Sequence, residues 1–261
     1  MIFDSHIHSD ASPDGQIQPE EAISILHEKG LGCTFTEHIE YSAELEPIFC
    51  VDFEKYPKDY IQYKSDSVML GVELNLIPEA IELNRRHAAD PALDFVIGSI
   101  HVVDGIDLGA RPDVTREWFK KIGEDAYQRF FDISLKMVET DDCYDSFGHI
   151  DYISRYSILP EKNVLYEKYA DQYNQLLTAI LQKGKVLEFC TRRMEDESAR
   201  ENLLKIYKRY RELGGRYVTM GSDAHSADQL GYKFDIALDM LNQIGLAPVY
   251  FKERRMMLSE Y

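Results

Sequence analysis

Nowhere do about eighteen apolar residues follow one another, and the opening Met1-Ile2-Phe3-Asp4 has neither the basic segment nor the apolar core of a secretion signal. We therefore expect neither a membrane span nor export, and assign the chain to the cytoplasm. Cysteine is sparse: Cys33, Cys50, Cys143 and Cys190 lie far apart with no Cys-x-x-Cys pair, which argues against a disulfide framework or a zinc knuckle. Cys33 and Cys190 sit in apolar runs that suit small core residues; Cys190, close to a strand end, is also a minor site candidate. Positive charge is short as well. With 29 Lys+Arg against 46 Asp+Glu the net charge is −17. Such a field repels phosphate backbones and anionic lipid, so neither nucleic acid nor a membrane is an expected partner, and a substrate bearing positive groups is favoured. A glycine-rich phosphate loop is missing after the first apolar run, where Ser5-His6-Ile7-His8 stands instead, and this disfavours a doubly wound dinucleotide fold. Pro/Gly/Ser linkers, internal repeats and low-complexity tracts are missing too, so residues 1–261 read as a single domain.

What is there is a regular alternation. Seven short apolar runs, Ile2 to Ile7, Cys33 to Thr36, Val68 to Leu74, Phe95 to Ile100, Ser146 to Ile150, Val186 to Phe189 and Tyr217 to Gly221, read as strands. Between them stand helical patterns at Pro19 to Lys29, Pro78 to Ala89, Glu117 to Glu139, Val164 to Lys183, Ser198 to Leu213 and Asp228 to Ile244. Tyr41 to Asp66 reads as an irregular loop feeding a short helix. Seven βα units with polar residues at the strand ends predict an α/β barrel-like fold whose site lies on the C-terminal rim. The 44% hydrophobic share is enough for one large core of that kind.

Six of the eight histidines stand at or just after these runs, and His27 and His87, in helical stretches, are given surface or helix-end roles. His6 and His8 lie two apart on a strand, so both imidazoles point the same way. His38 follows the second run, Glu73 lies in the third, His101 ends the fourth, His149 the fifth, and Asp223 and His225 close the seventh. Asp4, Asp14, Glu37, Glu73, Asp151 and Asp223 are the available carboxylates; Asp14, in Ala11-Ser12-Pro13-Asp14-Gly15, also suits a turn. A lone strand-end histidine usually serves the core, but six together point to metal ligation. Neutral imidazole and carboxylate are the donors that zinc, manganese and iron share, and a carboxylate such as Glu73 can bridge two ions. Two or three ions about 3.5–4 Å apart would lower the pKa of a shared water toward about 7 and clamp the oxygens of a displacement at phosphorus.

These residues resemble the PHP (polymerase and histidinol phosphatase) metallophosphoesterases, from His6-x-His8 through Thr36-Glu37-His38, Gly71-Val72-Glu73, Gly98-Ser99-Ile100-His101 and Gly148-His149 to Gly221-Ser222-Asp223-Ala224-His225. Within that family the match looks most like the histidinol-phosphate phosphatases. The resemblance implies a distorted (β/α)7 TIM-like barrel with two to three divalent ions: His6, His8, Glu73 and Asp223 on the first, Glu73, His101 and His149 on the second, Asp14, His38 and His225 on the third. It further implies that Arg155 and Arg193 grip the substrate phosphate. Because relatives often carry Asn-Thr-Ser in place of Cys190-Thr191-Arg192, either Arg192 or Arg193 is the inward residue.

The reaction implied is hydrolysis of L-histidinol phosphate by a metal-bridging hydroxide, with Asp14, His38 or His225 next to the leaving alkoxide and Asp223 indispensable as a ligand. The acidic balance suits that substrate's cationic amino group. A nucleotide or another small phosphorylated metabolite is the alternative substrate, and a metal-binding regulatory module without turnover is the alternative class. The sequence sets no oligomeric state.

Overall fold

The computed structural model describes residues 1–259. In chain order the elements are β1 (Ile2–Ile7), α1 (Pro19–Glu28), β2 (Leu31–Tyr41), β3 (Pro47–Cys50), α2 (Tyr56–Tyr60), β4 (Val68–Asn75), α3 (Ile81–Ala88), β5 (Phe95–Ser99), β6 (Val102–Val103), β7 (Ile106–Asp107), α4 (Pro112–Ile122), α5 (Asp125–Thr140), β8 (Ser146–Phe147), α6 (Ala170–Gln182), β9 (Val186–Cys190), α7 (Glu197–Glu212), β10 (Tyr217–Gly221), α8 (Phe234–Ile244), β11 (Ala247–Lys252) and β12 (Arg255–Leu258). Seven strands run parallel in the order β1-β2-β4-β5-β8-β9-β10, each matching one predicted run. They are buried along almost their whole length, as strands covered on both faces must be.

Among the described residues the ring closes only at its C-terminal rim. There the Asp223 N–H donates to the His6 carbonyl and the His8 N–H to the Ala224 carbonyl, both at 2.8 Å, around a single parallel bridge between Ile7 and Ala224. At the opposite end β10 pairs instead with β11, whose Tyr250 stacks on Phe3 at the start of β1 with ring centroids 4.1 Å apart. This wedge is what distorts the barrel, and it settles the α/β architecture as a barrel-like sheet without a complete ladder.

Strand alternation then layers the interior. Phe95, Ile97 and Ser99 share one face of β5, and Val186 and Glu188 one face of β9. Phe95, Ile97, Val186, Val249 and Phe251 form a separate apolar cluster that fills the lower end, while Ser99 and Glu188 lie in the polar layer above it. The main core lies outside the sheet, where Leu26, Phe130, Leu177, Leu203 and Leu241 of the helices pack against it.

Some expected elements differ. The stretch from Glu117 to Glu139 is two helices, broken at Gly123 with φ +64°, where an L-residue would be strained. The helix expected from Val164 starts at Ala170, and the one expected from Asp228 is a 3-10 turn at Ala227–Gln229 followed by α8. Within Tyr41 to Asp66 a short strand, β3, pairs antiparallel with the far end of β2. The β11–β12 hairpin was not expected, although Pro248 to Phe251 is a short apolar run after Gly245.

Candidate metal centre

Eleven residues long, β2 overshoots its neighbours, so its last turn of pleat stands over the rim of the sheet. His38 lies opposite Glu73 of β4 in the parallel register, which brings a ligand from each strand to one level. Around this level three groups of donors converge. In the first, His6 Nε2 lies 3.1 Å from His8 Nε2 and 3.3 Å from Glu73 Oε2, and Asp223 Oδ1 is 3.6 and 3.5 Å from the two imidazoles. In the second, Glu73 Oε1 is 2.8 Å from His149 Nε2 and 3.3 Å from His101 Nε2, which are 3.2 Å apart. In the third, His38 Nε2 and His225 Nε2 are 3.3 Å apart, with Asp14 Oδ2 at 3.6 and 3.2 Å.

A tetrahedral ion with bonds of about 2.0–2.1 Å holds its ligand atoms about 3.3–3.4 Å from one another. The observed separations scatter about that edge length, so each group fits a divalent ion. Glu73 offers one oxygen to the first group and the other to the second. Its buried Oε2 has no hydrogen-bond partner among the described residues and faces imidazole nitrogens instead, a setting that calls for a cation.

The electrostatics agree. Burial and the neighbouring His38 and His225 rings hold His8 well below the ordinary imidazole range. Burial also opposes charge on His6, but Glu188, Glu73 and Asp223 carry its pKa well above that range. Burial likewise disfavours the charged forms of His101 and Glu40; their mutual attraction, joined by Glu73 for the imidazole, wins and moves His101 up to about 10 and Glu40 down to about 2. Glu73 and Asp223 are held well below the usual carboxylate range despite burial, chiefly by His6 and His101 for the former and Arg155 and His6 for the latter. Charge is thus held in alternating signs where a dication would replace protons.

The centre opens into a cavity of about 250 Å³ whose wall includes Arg155, Arg192, Phe49, Tyr152 and Tyr156. Arg155 donates to Asp223 Oδ2 and, at 3.3 Å, to the Cys190 sulfur, and lies over the Tyr152 ring. Burial pushes the Cys190 thiol up, so it sits here as a neutral packing group. Arg192 donates to the Asp223 carbonyl at 2.5 Å and to Gln229 Oε1 at 2.7 Å. Arg193 does not line this cavity: its guanidinium is turned to Asp151, at 2.6 Å, and Asn163, at 2.5 Å. A larger cavity of about 680 Å³, between α5 and the β6–β7 hairpin, contains none of the converging donor groups.

The structure also sorts the other acidic candidates. Glu37 points away from His38 and ties down the loop after β1 through Ser9 Oγ (2.6 Å) and Ser12 Oγ (2.5 Å). Asp4 accepts from Ser222 Oγ at 2.6 Å and the Gly231 N–H at 2.8 Å, and Asp151 holds Arg193. Two carboxylates escaped the sequence reading. Glu188 accepts from His6 Nδ1 at 2.6 Å and from the His149 N–H at 2.7 Å, and Glu40 lies between His38 and His101. Both carry a signal: Glu188 is a single charge inside an apolar run, and Glu40 is two residues beyond His38 on the same strand face.

The sequence pattern of the PHP domain matches residues 4–192. A curated relative from Clostridium acetobutylicum, a probable histidinol-phosphatase, is 38% identical over 256 residues, covering 98% of this chain and 99% of its own. The histidinol-phosphatase of Lactococcus lactis is 27% identical over 233 residues, 86% of this chain and 84% of its own. Among solved structures, a Lactococcus lactis histidinol phosphate phosphatase complexed with zinc, L-histidinol and phosphate superposes with a TM-score of 0.87 over 98% of each chain at 24% identity, which shows a shared fold. With more than half its length matched by the family pattern and a full-length relative at this identity, the chain belongs to the PHP domain family.

Proposed function

We propose that this chain is a metal-dependent phosphoric monoester hydrolase that converts L-histidinol phosphate and water to L-histidinol and phosphate, a step of histidine biosynthesis, working in the cytoplasm as one domain across residues 1–261. The observation that carries the reading is the sharing of Glu73 between two groups of imidazoles at ligand-edge distances, with a third group beside them. The full-length likeness to a probable histidinol-phosphatase supports the substrate, as does the zinc, L-histidinol and phosphate complex of the Lactococcus lactis enzyme.

His6, His8, Glu73 and Asp223 would hold one ion, Glu73, His101 and His149 a second, and Asp14, His38 and His225 a third, with zinc, manganese and iron all compatible with these donors. When bound, such ions supply a water of lowered pKa and neutralise developing charge on the phosphate. The protein's own part is positioning. Arg155 and Arg192, on the cavity wall, bind the phosphate oxygens with paired donors. Asp14, His38 and His225 line the cavity, where Asp14 is one-third exposed, and stand nearest the departing alkoxide; the ion they would hold would neutralise its charge, and the proton it needs would come from solvent water reaching the cavity. Phe49, Tyr152 and Tyr156 exclude water on the side where the substrate's imidazole would pack.

Substrate profiling tests this. We expect kcat/KM for L-histidinol phosphate to exceed that for p-nitrophenyl phosphate on the order of a hundredfold, the scale set by a few specific contacts. Equal values, or a preference for a nucleotide, would overturn the substrate assignment and leave the metal centre to be judged separately.

A further inference from the structure

We propose that Glu40 is a positioning residue that couples the second and third donor groups, so that ions load there cooperatively; this rests on the metal-centre reading above. Glu40 Oε1 lies 2.8 Å from His38 Nδ1 and 2.9 Å from His101 Nδ1, and the side chain is almost wholly buried. Both rings present their other nitrogen, Nε2, to a donor group: His38 to Asp14 and His225, His101 to Glu73 and His149. An imidazole that ligates through Nε2 keeps its proton on Nδ1, and that N–H needs an acceptor to fix the tautomer and the ring angle. Here a single carboxylate oxygen lies within ion-pair reach of two rings that belong to two different groups, and both Nδ1 atoms are buried with no aligned hydrogen bond to any other acceptor among the described residues.

The consequence is a linkage. Ordering His101 on an ion orders Glu40, and an ordered Glu40 has already set the rotamer and tautomer that His38 needs. The conformational cost is then met once for both groups, which makes the second binding event tighter. Glu188 differs, because it joins one ring, His6, to a backbone N–H of His149, and so orients a ligand without sharing an oxygen between two imidazoles. Glu40 could in principle be a ligand itself, since His38 Nδ1 is also 3.1 Å from Glu73 Oε2. That use would take His38 through Nδ1 and withdraw its Nε2 from the Asp14 and His225 donors it already meets at ligand-edge distances.

The test is zinc occupancy, read position by position from anomalous scattering of crystals equilibrated at buffered free Zn²⁺, for wild type, Glu40→Ala, Glu40→Gln, His101→Ala and the double variant His101→Ala/Glu40→Ala. Glu40→Ala should weaken zinc about 10–100-fold at both the second and third groups and leave the first unchanged. Glu40→Gln, whose amide oxygen still accepts, should recover part of that loss. His101→Ala should lower occupancy at the third group in the wild-type background but not when Glu40 is already alanine. Wild-type occupancy in Glu40→Ala, or effects of the two substitutions that simply add, would overturn the coupling. So would loss of one oxygen from the zinc coordination shell in Glu40→Gln by X-ray absorption, which would make Glu40 a ligand. If the alanine variant fails to fold, Glu40→Gln decides alone: unchanged zinc at both groups overturns the role, and partial loss at both supports it. A wild-type chain that takes up no Zn²⁺ overturns the metal-centre reading itself, and this role with it.

Discussion

Replacing Gly221 with alanine would drive a methyl group into the pair that orients His6. A Cβ built there falls 2.3 Å from Glu188 Oε1 and 2.4 Å from the Cβ of His6, against an ordinary carbon contact of about 3.5–4.0 Å. Neither neighbour has room to give: both are fully buried, and Glu188 is fixed at its other oxygen by the His149 N–H. Overpacking of this kind costs about 1–3 kcal/mol. For a chain of this length each kcal/mol is worth about 2–4 °C, so melting should fall by about 2–12 °C. Displacing Glu188 from His6 Nδ1 should also weaken zinc at the first group about 10–100-fold, the usual effect of losing a partner behind a ligating imidazole. Gly123→Ala is the control. It forces φ +64° with ψ −140°, a backbone conformation that glycine alone adopts readily, on an L-residue in open space, at a cost of about 1–3 kcal/mol, with no donor within 4 Å. It should lower the melting temperature and leave zinc affinity alone. Differential scanning fluorimetry and chelator competition on both variants read the two effects apart. Wild-type melting and zinc affinity in Gly221→Ala would refute the packing argument around His6 and Glu188.

The arginines and the protonated imidazoles give three further outcomes. Arg192→Met should raise KM for L-histidinol phosphate about 10–150-fold, the equivalent of a charged hydrogen bond of about 1.5–3 kcal/mol, with melting little changed. Arg193→Met should do the reverse: KM stays put while about 3–5 kcal/mol of stability is lost, because buried Asp151 is left unpaired. A raised KM with intact melting in the Arg193 variant would reverse the assignment of the two residues. In the metal-free chain His6 and His38 hold protons well above the ordinary range, against the cost of burial, because of Glu188 and Glu40 respectively, and His101 does so to about 10. Zinc must displace those protons, so loading near neutral pH should release about three per chain, and affinity should rise as pH rises. Calorimetry in buffers of different ionisation enthalpy measures this, and uptake without proton release would contradict it.

Much of this site was legible because strand chemistry is local. A histidine or carboxylate at the end of an apolar run has few places to point, and period-two alternation aligns His6 with His8 without any tertiary information. The parallel sheet then needs only the βα rhythm, which the apolar runs and helix patterns display. What could not be read was side-chain partnership across the barrel. Glu37 looks as eligible as Glu73, yet the pleat turns it toward Ser9 and Ser12. Arg192 and Arg193 are neighbours in sequence, and only the position of Asp151 and Asn163 decides that the second turns aside. Glu188 gives no local sign because its partner His6 lies far away along the chain, and Glu40, although it stands beside His38 on its strand, meets its second partner His101 only in the fold. The hairpin of β11 and β12 escaped because its second strand, Arg255–Leu258, is exposed and shows no burial pattern.

The most direct measurement is anomalous diffraction at the zinc edge from crystals of the wild-type chain soaked in Zn²⁺. Separate peaks are expected about 2.0–2.1 Å from the imidazole nitrogens and carboxylate oxygens of the three groups, two of the ions sharing Glu73. A map with no peak among these residues, under conditions where the enzyme turns over its phosphomonoester, would contradict this.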